Sequence, residues 1–252
     1  MTDGPARDGD LGSILGVFAH PDDEAYLAGA LMALAVDAGR RVVCVTATRG
    51  EHGFPDDDAR SVDERKAVRE AELAACLAEL GVTEHRWLDY PDGGCAAVPD
   101  HEPVATLAAL IDDVRPDTLV TFGPDGQTYH EDHIAVSRWS AGAVAAAVHT
   151  PRLLYATMTP AWVAAFAEVV PMDEVMMVPD VAPPTVEPED LSVWFVAEGE
   201  LLDRKVRALR CQDSQVAGFV DTVGVARFGE LTRDEFFRDP TPDDWPSPHP
   251  HA

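Results

Sequence analysis

The stretch ILGVFAHPDDE, residues 14–24, decides the fold of this chain. Residues 14–19 form an apolar run of strand length that leads directly into one histidine and three acidic residues. Burying such charges at the end of a strand is unfavourable unless something compensates them, and a divalent metal ion is the simplest compensator. The alternative is that the acidic residues only cap the helix that follows. The stretch therefore predicts a buried strand, a polar turn and then a helix.

Beyond this stretch, apolar runs of strand length alternate with longer segments of helical period, which is typical of βαβ units. Ser61 and Glu64 form a candidate capping box at the start of the second helix, and Gly81 should end that helix. The predicted strands are 14–19, 41–46, 84–88, 118–122, 152–157 and 191–195, and the predicted helices are 25–38, 62–80, 103–114, 132–148 and 198–211. This order predicts an α/β fold, a Rossmann-like three-layer sandwich with a mostly parallel sheet and the active site at the carboxyl ends of the strands.

The composition excludes several classes of partner. The chain has 252 residues with 19 Lys+Arg against 45 Asp+Glu, a net charge of −26. Binding nucleic acid through phosphate contacts needs an excess of basic residues, and anionic lipid would repel this chain. No run approaches the ~20 apolar residues of a membrane span, and the first ten residues lack the apolar centre of a signal peptide. We therefore expect a cytoplasmic protein with a small-molecule partner, no nucleic acid and no membrane.

A second polar cluster follows the fourth predicted strand, in the stretch GPDGQTYHEDH that ends at His133. His130 and His133 are three residues apart, as are His20 and Asp23 after the first strand, so each pair can project from one face of a helical turn. Two histidines and one carboxylate leave an open coordination position, which is typical of catalytic zinc sites. We predict His20, Asp23 and His133 as the metal ligands, with Asp22 and His130 beside the metal as acid–base candidates.

These segments resemble the LmbE-like/PIG-L family of zinc-dependent deacetylases that act on N-acetylglucosamine-type substrates. The similar parts are AHPDDE at 19–24, TATRGEHG at 46–53, Arg69 with Glu72, Asp92, and the PDG…HxDH stretch at 124–133. The resemblance extends from about residue 14 to residue 148, and more loosely to residue 215. It implies a domain over 11–215, followed by an extension over 216–252 with a proline-rich tail.

The resemblance also implies roles for particular residues. Zinc, with Fe²⁺ as the alternative, would bind at the three predicted ligands. Asp22 would be the general base that activates water, and His130 the general acid. Asp132 would orient or tune His130, while Arg69 and Asp92 would hold sugar hydroxyl groups. The implied reaction is removal of an N-acetyl or N-acyl group from a small molecule that contains N-acetylglucosamine.

Several alternatives stay open at this point. A thiol-conjugate amidase of the same family would use the same site. A non-haem iron oxygenase also uses two histidines and one carboxylate, although it would leave Asp22 and His130 without a clear function, and a degenerate sugar-binding module would have no activity. The chain departs from the family pattern around Tyr129 and at Gln212, so contacts of these residues and of His52 with substrate are left open. The oligomeric state is open too, with a homo-oligomer as one option.

Overall fold

Seven strands and eight helices make up the described part of the chain, residues 10–244 of a computed structural model. The strands are β1 (Ile14–Phe18), β2 (Val42–Thr48), β3 (Glu84–Tyr90), β4 (Thr118–Phe122), β5 (Arg152–Ala156), β6 (Val193–Val196) and β7 (Asp234–Arg238). The helices are α1 (Asp23–Asp37), α2 (Val62–Leu80), α3 (His101–Val114), α4 (Gly126–Tyr129), α5 (Glu131–Ala146), α6 (Pro160–Ala167), α7 (Gly199–Arg210) and α8 (Asp213–Thr232). No helix among residues 10–244 is long and apolar enough to cross a bilayer.

All seven strands belong to one sheet in the order β3-β2-β1-β4-β5-β7-β6. The first five in this order are parallel, with Ile14 opposite both Val42 and Thr118. The chain builds outward from β1 in one direction and from β4 in the other, so the connections reverse between these two strands. Ligands of open α/β sheets bind beyond the carboxyl ends of the strands at such a reversal. The predicted α/β sandwich with a mostly parallel sheet is confirmed.

Helices cover both faces of the sheet. On one face α7 packs against α1, α2 and α8, and on the other face α3 packs against α5. Because both faces are covered, every residue of β1, β2 and β4 is buried, and these strands contain no charged residue. The capping box of Ser61 and Glu64 is present at the start of α2, and Gly81 ends that helix in the left-handed conformation.

The last third of the described chain completes the sheet in a way that the sequence pattern did not predict. Strand β7 lies between β5 and β6 and is antiparallel to both. The domain boundary expected after residue 215 falls inside α8, and the chain remains part of the sheet as far as Arg238. Residues 245–252, which hold most of the expected proline-rich tail, lie outside the described residues.

A fully buried ion pair joins this C-terminal part to α1. Lys205 Nζ lies 2.7 Å from Glu235 Oε1, and neither side chain is exposed. Lys205 also donates to the carbonyl of Tyr26, and Glu235 accepts from the amide N–H groups of Ala30 and Leu31 in the middle of α1. Each charge is therefore both paired and hydrogen-bonded, as a buried charge must be to be tolerated. The pair fixes β7 and α7 against the helix that begins at the AHPDDE motif.

Replacing one partner of this pair should destabilise the fold strongly. We expect Lys205→Met to lower the free energy of unfolding by about 3–5 kcal/mol, because Glu235 would be left as an unpaired buried charge. Urea denaturation followed by circular dichroism measures the effect. Arg207→Met is the control, since Arg207 and its partner Glu79 form an exposed ion pair at 3.1 Å, and its loss should change the stability by less than about 1 kcal/mol. Adding Glu235→Gln to Lys205→Met should restore part of the loss, and a loss unchanged by the second substitution would contradict this account.

Candidate active site

The two polar segments predicted from the sequence meet at the reversal point between β1 and β4. His20 follows β1 and precedes the first turn of α1, while His130 caps α5 and His133 lies in its first turn. The loop after β4 turns sharply at Gly126, which has a φ of 64°. A Cβ atom added to Gly126 would lie 3.0 Å from Cβ of His133. The absence of a side chain at Gly126 therefore allows the loop to lie directly against the histidine.

The three predicted ligands lie at distances that suit a tetrahedral metal. His20 Nδ1 is 3.1 Å from His133 Nε2, and each of these nitrogens is 3.6 Å from an Asp23 oxygen. Zinc bonds of 2.0–2.1 Å place two tetrahedral ligand atoms about 3.3 Å apart. The three side chains are mostly buried, with exposed fractions of 11–14%. His20, Asp23 and His133 therefore lie close enough together to be candidates for a shared metal ion, with Asp23 approaching His20 through Oδ2 and His133 through Oδ1.

Hydrogen bonds on the outer side of each ring fix the tautomers of the two histidines. His133 Nδ1 is 3.0 Å from the carbonyl oxygen of Gly126, which can only accept, so Nδ1 carries the hydrogen. His20 Nε2 lies 3.1 Å from Asp92 Oδ1 and 3.2 Å from Asp132 Oδ2, so it donates in the same way. Such outer partners are typical of metal-binding histidines. The inner nitrogens, His20 Nδ1 and His133 Nε2, consequently face each other with their lone pairs.

The surroundings of His20 favour positive charge. Burial lowers the pKa of His20, but hydrogen bonds with Asp132 and Asp92 and the charges of Asp23 and Asp92 outweigh it and raise the pKa to about 10. Burial lowers the pKa of His133 to about 4. The space between the two rings therefore favours a proton or a cation.

His130 lies against both His20 and His133 without a bond to either. Its ring centroid is 4.7 Å from that of His20 and 4.8 Å from that of His133. One ring nitrogen from each of the three histidines falls within 4.8 Å of the others, and His20, Asp92 and Asp132 form a second set of this kind among the described residues; Asp23 belongs to neither set. The amide N–H of Asp132 donates to His130 Nδ1 at 3.1 Å. Burial, and then the charge of His20, lower the pKa of His130, which favours a neutral ring with its hydrogen on Nε2.

Asp22 has an unusual backbone conformation, with φ 110° and ψ −34°. Residues other than glycine rarely adopt a positive φ, and strain of this kind is found most often at functional sites. The Asp22 side chain makes no capping hydrogen bond to α1, so it does not act as the simple helix cap that the sequence left open. Its Oδ2 lies 3.4 Å from a guanidinium nitrogen of Arg69, and burial raises the pKa of Asp22 to about 7 even though the charge of Arg69 lowers it.

A buried cluster under the motif fixes this conformation. Glu24 Oε2 accepts the amide N–H of Asp22 at 2.9 Å, and Glu24 Oε1 accepts from Cys76 Sγ and from Gln212 Nε2, both at 3.2 Å. Arg69 donates to the carbonyl of Pro21. Glu24 and Gln212 have no exposed surface. The turn is thus bonded to α1, α2 and the residue that precedes α8.

Three predicted roles can be compared with these positions. Arg69 has 2% of its surface exposed and donates to the carbonyl of Pro21 in the motif, and its contact with a sugar hydroxyl group stays a prediction. Asp92 bonds His20 Nε2 and the amide N–H of His52. The Asp132 side chain contacts His20 and accepts from the amides of Gly93 and Cys95, and only the backbone of Asp132 contacts His130. Asp92 and Asp132 are therefore placed to orient His20.

The residues that the sequence left open divide into two groups. Gln212 is buried in the Glu24 cluster, and the Tyr129 hydroxyl donates to the carbonyl of Ala182 at 3.2 Å. His52 is exposed at the rim of the site, in the loop after β2. Of these three, only His52 has a side chain free to meet a ligand at the surface of the site. The role of Gln212 could not be found from local sequence, because Gln212 and Glu24 are 188 residues apart.

A cavity of about 250 Å³ adjoins two of the predicted ligands, Asp23 and His133. Asp23 and His133 form part of its wall, and most of the remaining wall consists of aromatic and aliphatic side chains. The loop after β5, α6 and the first half of α8 contribute Met158, Trp162 and Phe219. The site therefore combines a charged cluster on one side with an apolar chamber on the other.

The described residues thus place two histidines and two neighbouring aspartates at the sheet reversal, a set of side chains that can hold a divalent metal ion. Residues 15–146 match the model of the PIG-L family, described as GlcNAc-PI de-N-acetylase. A 1D-myo-inositol 2-acetamido-2-deoxy-alpha-D-glucopyranoside deacetylase of Acidothermus cellulolyticus is 36% identical over 243 residues, 81% of this chain and 80% of the relative. The chain belongs to the PIG-L family.

Solved structures support the fold alone, since their sequences are less similar. An N,N'-diacetylchitobiose deacetylase from Pyrococcus horikoshii has a TM-score of 0.60 at 21% identity, covering 90% of this chain and 82% of that chain. A 4-carboxy-2-hydroxymuconate hydratase from Pseudomonas putida KT2440 has a TM-score of 0.58 at 17% identity, covering 94% of this chain and 99% of that chain. Because one fold occurs in a deacetylase and a hydratase, function must be argued from the site.

The contact between Asp132 and His20 leads to a prediction about metal affinity. We expect Asp132→Asn to weaken zinc binding roughly 10- to 100-fold, because His20 Nε2 would lose a carboxylate partner that orients the ring. Competition with a chromophoric chelator measures the affinity. Glu131→Gln is the matched control, since Glu131 directly precedes Asp132 in α5 and is exposed. Equal zinc affinity in the Asp132→Asn and control proteins, with thermal unfolding unchanged, would contradict the role given to Asp132.

Proposed function

We propose that this chain is a metal-dependent N-deacetylase that hydrolyses the amide of a small molecule containing N-acetylglucosamine. Zinc is the proposed metal and Fe²⁺ the alternative, held by His20, Asp23 and His133. The named activities of the family model and of the Acidothermus relative support the substrate class. One observation carries the proposal. The inner nitrogens of His20 and His133 lie 3.1 Å apart, and each lies 3.6 Å from an Asp23 oxygen. Asp22 lies beside this group as a further acid.

Amide hydrolysis needs a polarised carbonyl group, a deprotonated water molecule and protonation of the departing amine. A divalent metal at this site supplies Lewis acidity and lowers the pKa of water. Asp22 is the proposed base: its carboxylate lies next to the ligand Asp23 in sequence, and its strained backbone directs it away from the helix cap position. The Arg69 guanidinium at 3.4 Å stabilises the ionised form of Asp22 and limits its movement.

We propose a role for His130 that differs from the general acid expected from the sequence. A backbone N–H group already donates to His130 Nδ1, so a doubly protonated ring would place two hydrogens against each other. The arrangement favours a neutral ring that offers the Nε2 hydrogen to the oxygen on which negative charge develops, as an oxyanion-stabilising donor. In this scheme Asp22 takes the proton from water and returns it to the departing amine.

The role of Asp22 can be separated from metal binding. We expect Asp22→Asn to reduce the release of primary amine from N-acetylglucosaminides by at least about 100-fold, within the range by which a positioned acid–base group accelerates a reaction. Its zinc content should stay at that of the parent protein, because Asp22 does not contact the ligand nitrogens. Amine-reactive fluorescence and elemental analysis give the two measurements. His20→Ala is the comparison that should lose both metal and activity, and an active Asp22→Asn protein would refute the assignment.

Two substitutions distinguish the possible roles of His130. A glutamine can place an N–H donor where His130 Nε2 lies but cannot transfer a proton, whereas alanine does neither. We expect His130→Gln to retain at least about tenfold more kcat than His130→Ala, consistent with loss of one hydrogen-bond donor costing about 10²–10³ in kcat. Equal loss of kcat in both variants, with equal zinc content, would favour the general acid.

The other candidate functions give different results in the same assays. Turnover of 2-oxoglutarate with Fe²⁺ would indicate the oxygenase. The site-bearing strands β1 and β4 are parallel neighbours, whereas antiparallel strands around the site would have favoured that alternative. Amine release from thiol conjugates but not from simple N-acetylglucosaminides would indicate the amidase. Sugar binding without release of amine from any acetylated sugar would indicate a binding module.

A further inference from the structure

The cavity beside the ligands has a size and lining that the removal of an acetyl group does not require. Its volume is about 250 Å³, and a group the size of water takes up about 30 Å³ in a liquid. Roughly eight non-hydrogen atoms therefore fit, whereas the methyl group of an acetyl is one. Trp162, Phe166, Phe219 and Met158 form much of its wall.

Several polar groups in the wall are already bonded to the protein, while Thr128 Oγ1 is buried without a hydrogen-bond partner among the described residues. Glu235 is paired with Lys205, and Asp234 Oδ1 accepts from Trp194 Nε1 at 2.9 Å. The Thr232 hydroxyl donates to the carbonyl of Phe228. A sugar or an inositol ring in this chamber would lose the hydrogen bonds that its hydroxyl groups make with water and gain few in return, which is costly. The wall fits a hydrocarbon group instead.

The position of the cavity determines which part of an amide can enter it. Among the described residues, Asp23 and His133 line the cavity, while Asp22 and His130 do not. The carbonyl carbon of an amide carries an oxygen, a nitrogen and the alkyl chain of the acyl group. The proposed proton carrier, Asp22, must reach the nitrogen, so the nitrogen and its sugar lie on the Asp22 side. The alkyl chain of the acyl group is then directed past Asp23 and His133 into the apolar chamber.

We propose that the cavity is an acyl pocket and that the preferred substrate carries a linear N-acyl chain of about six to eight carbons rather than acetyl. This inference rests on the proposed amide hydrolysis. The reaction is unchanged in its balance: water adds to the carbonyl carbon, the C–N bond breaks, and a fatty acid and a free amine are formed. The length of the chain is limited by the volume of the pocket, and the aromatic wall supplies the binding energy.

The decisive experiment varies only the acyl group. Zinc-loaded full-length protein is given N-acetyl-, N-butanoyl-, N-hexanoyl- and N-octanoyl-glucosamine, and kcat/KM is measured from the release of glucosamine. We expect kcat/KM to rise roughly 10- to 100-fold from acetyl to hexanoyl, because each buried methylene group adds binding energy in the transition state. A kcat/KM that is flat or falls with chain length, while N-acetylglucosamine is hydrolysed, would overturn the acyl pocket and leave the deacetylase standing.

A pocket-filling variant tests the location. Val175 lies in the cavity wall, and Val175→Trp should lower the hexanoyl-to-acetyl ratio of kcat/KM by roughly tenfold. Val225→Trp is the matched control, because Val225 is 44% exposed on α8 outside the cavity wall, and the ratio should not change. Phe219→Ala, which removes an aromatic wall, should lower the ratio in the same direction even if Val175→Trp fails to fold. Equal ratios in the parent protein and in folded pocket variants would overturn the proposal.

Binding of the acid product gives a readout independent of turnover. Hexanoate should bind the zinc-loaded protein at least about tenfold more tightly than acetate, and Val175→Trp or Phe219→Ala should reduce that difference. If none of the amides is hydrolysed but this difference is found, the proposed function fails and the pocket stands. If lengthening an alkyl aglycone raises kcat/KM while lengthening the acyl group does not, the pocket serves the aglycone and the acyl assignment is overturned.

Discussion

The constraint on which the site depends is the 3.1 Å approach of His20 Nδ1 to His133 Nε2. Each ring is held by a partner on its outer side, Gly126 for His133 and the two carboxylates of Asp92 and Asp132 for His20. Two lone pairs cannot face each other at this distance without a proton or a cation between them. The parallel β1 and β4 strands bring the two segments together, and the outer hydrogen bonds turn the inner nitrogens toward each other, so that a proton or a cation must lie between them.

Packing far from the motif supports this constraint. The buried pair of Lys205 and Glu235 bonds α7 and β7 to the middle of α1, the helix whose first turn contains Asp23. Gln212 and Cys76 bond Glu24, which in turn holds the amide of Asp22. Each contact replaces water that a buried polar group would otherwise need. The C-terminal part of the chain therefore stabilises the site and completes the sheet at the same time.

The sequence predicted the parallel half of the fold well because its signals there are local. Strand β4 has the predicted bounds, and the capping box and Gly81 delimit α2 as expected. Strand β7 has no such signal: five residues with charged ends insert between two strands far away in sequence. Helix α8 is interrupted at Gly224, whose φ is 78°, so its periodicity is broken. In both cases the deciding contacts are made with distant parts of the chain.

In the site, too, local sequence does not predict the orientation of single side chains. Motif spacing predicted that Asp92 and Asp132 lie near the site. The orientation of their side chains depends on the loop backbone, since the amides of Gly93 and Cys95 hold the Asp132 carboxylate toward His20. Spacing also cannot reveal that the Arg69 side chain is buried and donates to the carbonyl of Pro21 within the motif. Asp22 illustrates the consequence: an acid is found there in the sequence, but its proposed function as a base depends on a positive φ that Glu24 and Arg69 stabilise together. Residues buried behind the motif thus determine how the three neighbouring acids Asp22, Asp23 and Glu24 are oriented.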